Sequence, residues 1–204
     1  MNPSGYQLFE CPKCSAKLKT KNEDTEPPQH TVYFSDGFIS GSNHSFPLLF
    51  VECPICHDGI FIADQSVQES NNSLVNDSFE TGFPSPHLIL EALLKPENHE
   101  RERQIYLRKQ FWYLGTHNLF GDELLINDYH FKNDWLDNLE FLESLLDENR
   151  PDEVLLKIEV NRQLGRFDRA MELATEAPIP DDKKLINKMK KKIKRKNTEL
   201  FEIE

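Results

Sequence analysis

The spacing of apolar residues divides the chain into a β-like N-terminal part and a helical C-terminal part. Before residue 64, apolar residues occur in short runs, such as residues 31–34 and 47–51, that are typical of strands. From Pro86 onward they recur every three or four residues, which predicts amphipathic helices. Short connections between successive helices favour antiparallel packing. The expected fold class is α+β.

Local signals set the ends of several predicted elements. Asp36-Gly37 lies between β-forming residues and predicts a hairpin turn, because glycine adopts positive φ at little steric cost. Helical patterns cover residues 87–95, 97–118 and 133–148. Pro151 stands where a first-turn proline belongs in the next helix, and Gly165 is expected to end that helix.

Composition separates three regions. Residues 1–63 hold all four cysteines and the short apolar runs. Residues 64–85 are rich in serine, asparagine and acidic residues, which predicts a linker; a long ordered loop packed on a neighbouring segment is the alternative. Residues 86–204 form the predicted helical domain, which ends in a basic helix.

The four cysteines lie in two copies of one short motif. Residues 9–14 read FECPKC and residues 51–56 read VECPIC, and an apolar residue follows seven positions after the first cysteine of each. A Cys-Pro-x-Cys turn points both thiols the same way, so two turns that face each other complete a tetrahedral cage of sulfurs. The sequence therefore predicts one metal site with these ligands: Cys11, Cys14, Cys53 and Cys56.

A thiolate cage of this kind suits Zn²⁺. The two pairs are separated by 38 residues. Doubling a loop costs only about 0.6 kcal/mol, whereas structural zinc contributes on the order of 10 kcal/mol. Four protein ligands leave no open position, so we predict one structural Zn²⁺ in a β zinc ribbon with rubredoxin-like knuckles, spanning residues 1–63.

Three alternatives remain open for these cysteines. The ligand set also fits an iron site of the rubredoxin type. A single Cys-Pro-x-Cys resembles a glutaredoxin-type redox motif, although that motif requires a helix within a βαβ unit. Ordinary buried cysteines are the third interpretation. His57 is expected to be a turn residue, and His30 and His44 are expected to be solvated rather than ligating.

The charge of the chain is unevenly distributed. The formal net charge is −11, yet residues 181–196 carry nine Lys or Arg and two Asp. Such an acidic body repels nucleic acid, so any nucleic-acid contact would have to be local. The last helix is expected to dock by one apolar face, with its lysines solvated or facing the acidic body. The alternatives are an anionic membrane contact, an acidic partner protein, or nucleic-acid binding by Lys188, Lys190, Lys191, Lys192, Lys194, Arg195 and Lys196.

Residues 164–170, LGRFDRA, join two predicted helices. Leu-Gly-x-Phe-x-x-Ala is the turn of a tetratricopeptide-like helical hairpin, in which glycine makes the tight turn and the alanine permits close packing. The full repeat signature is absent. The turn is either a packing device or part of a repeat-type binding surface.

The order of these features resembles a group of uncharacterised bacterial proteins. The features are CPKC at residues 11–14, YFSDG at 33–37, CPIC at 53–56 and LGRFD at 164–168. The group joins an N-terminal CPxC…CPxC zinc ribbon to a C-terminal helical, tetratricopeptide-like region. The resemblance implies zinc binding and a cytoplasmic address, and it implies no reaction.

No catalytic motif is evident in the sequence: phosphate-binding glycine loops, Gly-x-Ser-x-Gly and His-Glu-x-x-His are all missing. We expect a non-enzymatic protein that binds another protein, as an adaptor; a nucleic-acid-associated factor is the alternative. The N-terminus shows no secretory signal pattern and no apolar run approaches a membrane span, so we expect a cytoplasmic protein.

Overall fold

The computed structural model describes residues 6–21, 32–40, 48–66, 75–117, 127–177 and 183–203. Most strands precede residue 81 and the helices follow, which confirms the predicted α+β class. The chain divides into two compact units. The ribbon unit comprises Met1–Thr31 and Ser40–Lys95, and the helical unit comprises Val32–Ile39 and Pro96–Glu204.

Two antiparallel hairpins form the ribbon unit. In the first, β1 (Tyr6–Glu10) pairs with β2 (Lys17–Lys21), and in the second, β5 (Phe50–Glu52) pairs with β6 (Gly59–Phe61). Each hairpin encloses one cysteine pair. The short strand β7 (Phe79–Glu80) adds to β2 in parallel.

The same positions of the two motifs form the core of the ribbon unit. Phe9 lies opposite Leu18 across the first hairpin, and Val51 lies opposite Ile60 across the second. In each motif, the apolar residue seven positions after the first cysteine thus pairs across the hairpin with the apolar residue two positions before that cysteine. These side chains and two of the cysteines form one buried cluster: Phe9, Cys11, Leu18, Val51, Cys53, Ile60 and Ile62.

Part of the predicted linker pairs with the ribbon strands. Within residues 75–85, β7 joins β2, and Gly82 forms an isolated bridge with Glu52. Helix α1 (Pro86–Leu94) follows, and the Ser85 side chain caps its first turn by accepting a hydrogen bond from the Leu88 N–H at 3.4 Å. Residues 75–95 thus belong to the ribbon unit, whereas the sequence division placed the linker at residues 64–85.

Within the described residues of the helical unit, five α-helices pack in chain order. They are α2 (Arg101–Thr116), α3 (Tyr129–Leu145), α4 (Pro151–Gln163), α5 (Phe167–Glu176) and α6 (Lys183–Lys194). None of the helices in the part of the chain that the structure describes is long and apolar enough to cross a membrane. Helices α4 to α6 share an apolar cluster with one residue beyond them: Val154, Ile158, Ala170, Leu173, Ala174, Ile186, Met189, Ile193 and Phe201.

The predicted turn between α4 and α5 is a Schellman motif. Gly165 has φ of +73°, and its N–H donates to the Arg162 carbonyl at 3.1 Å. The next N–H, of Arg166, reaches back to the Asn161 carbonyl at 2.8 Å. Gly165 ends α4 as expected, and Pro151 occupies its first turn.

Helix α6 ends in the same way, with lysine in place of glycine. Lys196 has φ of +51° and donates its N–H to the Ile193 carbonyl at 2.9 Å. The Asn197 N–H donates to the Lys192 carbonyl at 3.1 Å, which completes the motif. A β-carbon is strained in this left-handed conformation.

Lys196→Gly is therefore expected to stabilise the helical unit by about 1 kcal/mol, because glycine relieves the strain at positive φ. Urea denaturation followed by circular dichroism measures the change. The matched control is Lys191→Gly, at an exposed position inside the helix, which should destabilise by about the same amount. A change in stability of the same sign at both positions would contradict the assignment of the motif.

The Asp36-Gly37 hairpin forms as predicted, but its partners are in the helical unit. Strands β3 (Val32–Phe34) and β4 (Ile39–Ser40) flank the turn, and Gly37 has φ of +80°. Strand β8 (Glu202–Ile203) pairs antiparallel with β3 and completes a sheet of order β4-β3-β8. The sequence division placed this hairpin in the ribbon at residues 1–63; the contacts place residues 32–39 with the helices.

Candidate metal centre

The two cysteine motifs adopt the same backbone turn. In the first, the Cys11 N–H donates to the Ala16 carbonyl and the Ser15 N–H donates to the Cys11 carbonyl, both at 2.9 Å. In the second, the Cys53 N–H donates to the Asp58 carbonyl and the His57 N–H to the Cys53 carbonyl, again at 2.9 Å. The sequence repeat is therefore a repeat of one three-dimensional knuckle.

The residue after the second cysteine of each knuckle is left-handed. Ser15 and His57 both have φ of +58°, the region that favours glycine. This agrees with the expectation that His57 is a turn residue. Its imidazole is exposed and its Nδ1 lies 2.8 Å from Glu52 Oε1.

The knuckles bring the four cysteine sulfurs together. All four Sγ atoms lie within 4.8 Å of one another. The Cys11 and Cys56 sulfurs are 3.6 Å apart, and those of Cys14 and Cys53 are 3.8 Å apart. A regular tetrahedron with metal–sulfur bonds of about 2.3 Å has edges of about 3.8 Å, whereas a disulfide needs about 2.05 Å. The cluster therefore fits a single tetrahedral metal ion and is not disulfide-bonded.

Burial and crowding oppose ionisation of a thiol in the metal-free cluster. Cys11 and Cys53 are buried, Cys56 is half-buried and Cys14 is exposed. A backbone hydrogen bond from Asp58 lowers the pKa of the Cys56 thiol, but burial and hydrogen bonds with the other three thiols raise it, to about 12 overall. Crowded thiols resist ionisation because neighbouring thiolates would repel each other, and a divalent cation removes this penalty by supplying the opposite charge.

No histidine belongs to the cluster among the residues that the structure describes. His87 pairs with Glu91 at 3.2 Å, one helical turn away, and His117 pairs with Asp36 at 2.8 Å. His30 and His44 lie outside the described residues. The candidate ligand set is thus the four cysteines that the sequence singled out.

Glu52 is a neighbour of the cluster that the sequence analysis did not single out. One carboxylate oxygen contacts His57, and the other accepts a hydrogen bond from the Ser85 N–H at 3.1 Å. It thereby ties the second knuckle to the start of α1. The sequence could have indicated this residue, because a glutamate precedes the first cysteine in both motifs.

Two of the seven basic residues in the alternative nucleic-acid hypothesis contact the C-terminal segment. Lys188 donates to the Glu202 carbonyl at 2.6 Å, and Lys188 and Lys192 lie 5.8 and 5.4 Å from the centre of the Phe201 ring. Lys190 is half-buried, and the other four are exposed: Lys191, Lys194, Arg195 and Lys196.

Ion pairing separates these seven from six basic residues earlier in the helical unit. Within the described ranges, none of the seven forms an ion pair with a carboxylate. Six basic residues earlier in the unit do so: Arg101, Arg150, Lys157, Arg162, Arg166 and Arg169. The apolar face of α6 is nevertheless docked, as expected, through Ile186, Met189 and Ile193.

No protein-family model matches the chain, and neither curated proteins nor solved structures give a match. The assignment of the metal centre therefore rests on its geometry. The clustered cysteines and the helical C-terminal region agree with the two structural features of the bacterial group that the sequence resembles, and membership in that group stays a prediction.

Proposed function

We propose that the protein is a non-enzymatic zinc-binding adaptor of the cytoplasm, with one structural Zn²⁺ held by Cys11, Cys14, Cys53 and Cys56. The observation that carries the proposal is the cluster of four sulfurs on two equivalent knuckles, with distances close to the edges of a zinc–thiolate tetrahedron. Four protein ligands fill the coordination sphere and leave no position for a reacting water, so the metal has a structural role.

Zinc is proposed over iron on chemical grounds. A tetrahedral set of four thiolates accepts either metal, but divalent zinc lies above ferrous iron in the affinity order of first-row metals. A reducing compartment also keeps free thiols available for the metal, which supports a cytoplasmic location. Elemental analysis of the purified protein is expected to find one zinc per chain and no iron.

The adaptor role is proposed for the helical unit. Its helix α3 exposes two aromatic side chains, Tyr129 at 72% and Phe141 at 60% of their surface. The Arg108 guanidinium lies 4.7 Å from the centre of the Phe141 ring. Aromatic residues and arginine are enriched at the centres of protein interfaces, so Phe141 and Arg108 are the proposed anchor for a partner protein.

Affinity capture with matched surface variants tests this role. The tagged protein is incubated with lysate, with and without nuclease, beside the variants Phe141→Ala and Leu94→Ala. Leu94 is the control, because it is also exposed and apolar but lies in the ribbon unit. We expect a defined protein that survives nuclease, is retained by Leu94→Ala and is lost with Phe141→Ala. Recovery that is equal for both variants would contradict the proposed anchor.

A nucleic-acid-associated role is the second candidate, favoured by the seven basic residues from Lys188 to Lys196, which form no ion pair within the described part of the chain. The acidic body of the protein opposes it. The same capture experiment separates the two, because recovery through nucleic acid collapses with nuclease. Binding to phosphates would also weaken steeply as the salt concentration rises.

A further inference from the structure

We propose that metal binding at the knuckles and docking of the β3–β4 hairpin in the helical unit stabilise each other. The physical basis is the path of the chain, because the segment that links the two knuckles is also a structural part of the helical unit. The inference rests on metal binding by the four cysteines and goes beyond it by assigning the metal an effect on the other unit.

Between the two knuckles that form the metal site, the chain contributes a segment to the helical unit. It forms the first knuckle at residues 11–14 and contributes residues 32–39 to the helical unit. It then returns to form the second knuckle at residues 53–56. Binding of one metal ion by both knuckles therefore closes a loop of the chain, and residues in the middle of that loop are part of the helical unit. Such a loop couples the two events, because fixing either one restricts the chain that the other must order.

The first anchor of the hairpin is Asp36, whose side chain is fully buried. Its Oδ2 lies 2.8 Å from His117 Nε2 and accepts a hydrogen bond from Thr116 Oγ1 at 3.2 Å. The Tyr113 hydroxyl donates to the Asp36 carbonyl at 3.3 Å. Phe38 stacks on the His117 ring with centroids 3.9 Å apart. The tip of the hairpin is thus bound to the end of α2.

The second anchor is Ser35, which joins the hairpin to two further elements. Its hydroxyl donates to Glu159 Oε1 on α4 at 2.8 Å. Its backbone N–H donates to the carbonyl of Phe201 at 3.0 Å, next to strand β8. A hairpin with strands of three and two residues is not stable by itself, so its structure depends on these contacts.

Loop lengths give the size of the coupling. With the ribbon unit unfolded, residues 41–95 separate the hairpin from the helical residues that follow it. In the folded ribbon unit, the described residues 48–66 and 75–95 account for 40 of these 55 residues, which shortens the loop to about a quarter of its length. Each halving of a loop favours closure about threefold, so two halvings give on the order of tenfold. Thermodynamic linkage requires that metal binding favour hairpin docking by the same factor by which hairpin docking favours metal binding.

Hydrogen exchange of the unaltered protein provides the first test. The Ser35 amide reports hairpin docking, and the Leu164 amide, bonded to the Val160 carbonyl at 2.9 Å, reports the end of α4 through a hydrogen bond in which the hairpin takes no part. Removal of the metal with a chelator is expected to speed exchange at Ser35 about tenfold and to leave Leu164 nearly unchanged. Equal exchange at Ser35 with and without metal would overturn the proposal.

Metal affinity provides the reciprocal test. A double variant, Ser35→Ala with Asp36→Ala, removes both anchors and no ligand, and competition with a chromophoric chelator is expected to show up to about tenfold weaker metal binding. The control is Leu173→Ala, which weakens the apolar core of α4 to α6 without removing a hydrogen bond of the hairpin and should retain the original affinity. An unchanged metal affinity in the double variant would also overturn the coupling.

The two tests separate this inference from the proposed function. If the unaltered protein binds no metal, the proposed function and the coupling both fail. If it binds one metal ion but neither exchange nor affinity responds, the metal site stands and the coupling alone is wrong.

Discussion

Replacement of Cys53 by serine is expected to abolish stoichiometric metal binding and to unfold the ribbon unit, while most of the helical circular dichroism signal survives. A serine hydroxyl does not replace a thiolate, and structural zinc contributes on the order of 10 kcal/mol to a small domain. The ribbon unit is expected to depend on the metal, since two of the seven residues of its core cluster, Cys11 and Cys53, are ligands. The helical unit has an apolar core of its own.

Elemental analysis and thermal unfolding of matched variants check this result. Lys13→Ala is the control, because Lys13 lies between two ligands yet is itself exposed and makes only a surface ion pair with Asp58 at 3.6 Å. It should retain one metal ion and nearly the original stability. If Cys53→Ser also kept a full complement of metal and an unchanged unfolding midpoint, the metal centre as assigned would be wrong.

Replacement of Arg162 by methionine is expected to destabilise the helical unit by about 3–5 kcal/mol, the usual cost of breaking a buried ion pair. Arg162 and Glu159 are both fully buried on α4 and form two hydrogen bonds, at 2.8 and 2.5 Å. The guanidinium also donates to the Asn197 carbonyl and lies 5.3 Å from the centre of the Phe201 ring. Its removal leaves a buried carboxylate uncompensated and loosens the C-terminal strand.

A double-mutant cycle separates the stability lost with the ion pair from the stability lost with the packing of the side chains. Replacing both residues, by Glu159→Leu with Arg162→Met, should recover part of the loss, because no unpaired charge remains buried. The exposed pair of Arg169 and Glu172 provides a comparison, for which Arg169→Met should cost less than about 1 kcal/mol. Urea denaturation measures each step. Similar costs for Arg162→Met and Arg169→Met would contradict the importance assigned to burial.

The features that sequence predicts well here depend on neighbours along the chain. Each knuckle closes over five or six residues, so the Cys-Pro-x-Cys spacing is enough to indicate its geometry. Gly37 and Gly165 mark turns for the same reason, since the conformational requirement lies in the residue itself. The repeat of the motif then predicts that the two knuckles share one site, and the sulfurs do cluster.

The pattern of apolar residues does not predict the buried polar side chains of α4. Its Leu and Val positions predicted the helix, but Glu159, Asn161 and Arg162 are buried along with them. Charged residues are rarely buried unless paired, so the sequence alone favours an exposed face for them. The partners that make their burial possible come from the hairpin, α3 and the C-terminal segment.

Local sequence was enough to predict the four candidate ligands, the α+β class, the hairpin turn and the ends of α4, because each follows from contacts within a few residues. The unit to which the hairpin belongs emerged only from contacts between distant parts of the chain. Asp36 meets His117 across 81 positions and Ser35 meets Glu159 across 124. Such pairings depend on the packing of whole elements, and nothing in the local pattern around Asp36-Gly37 distinguishes a ribbon partner from a helical one.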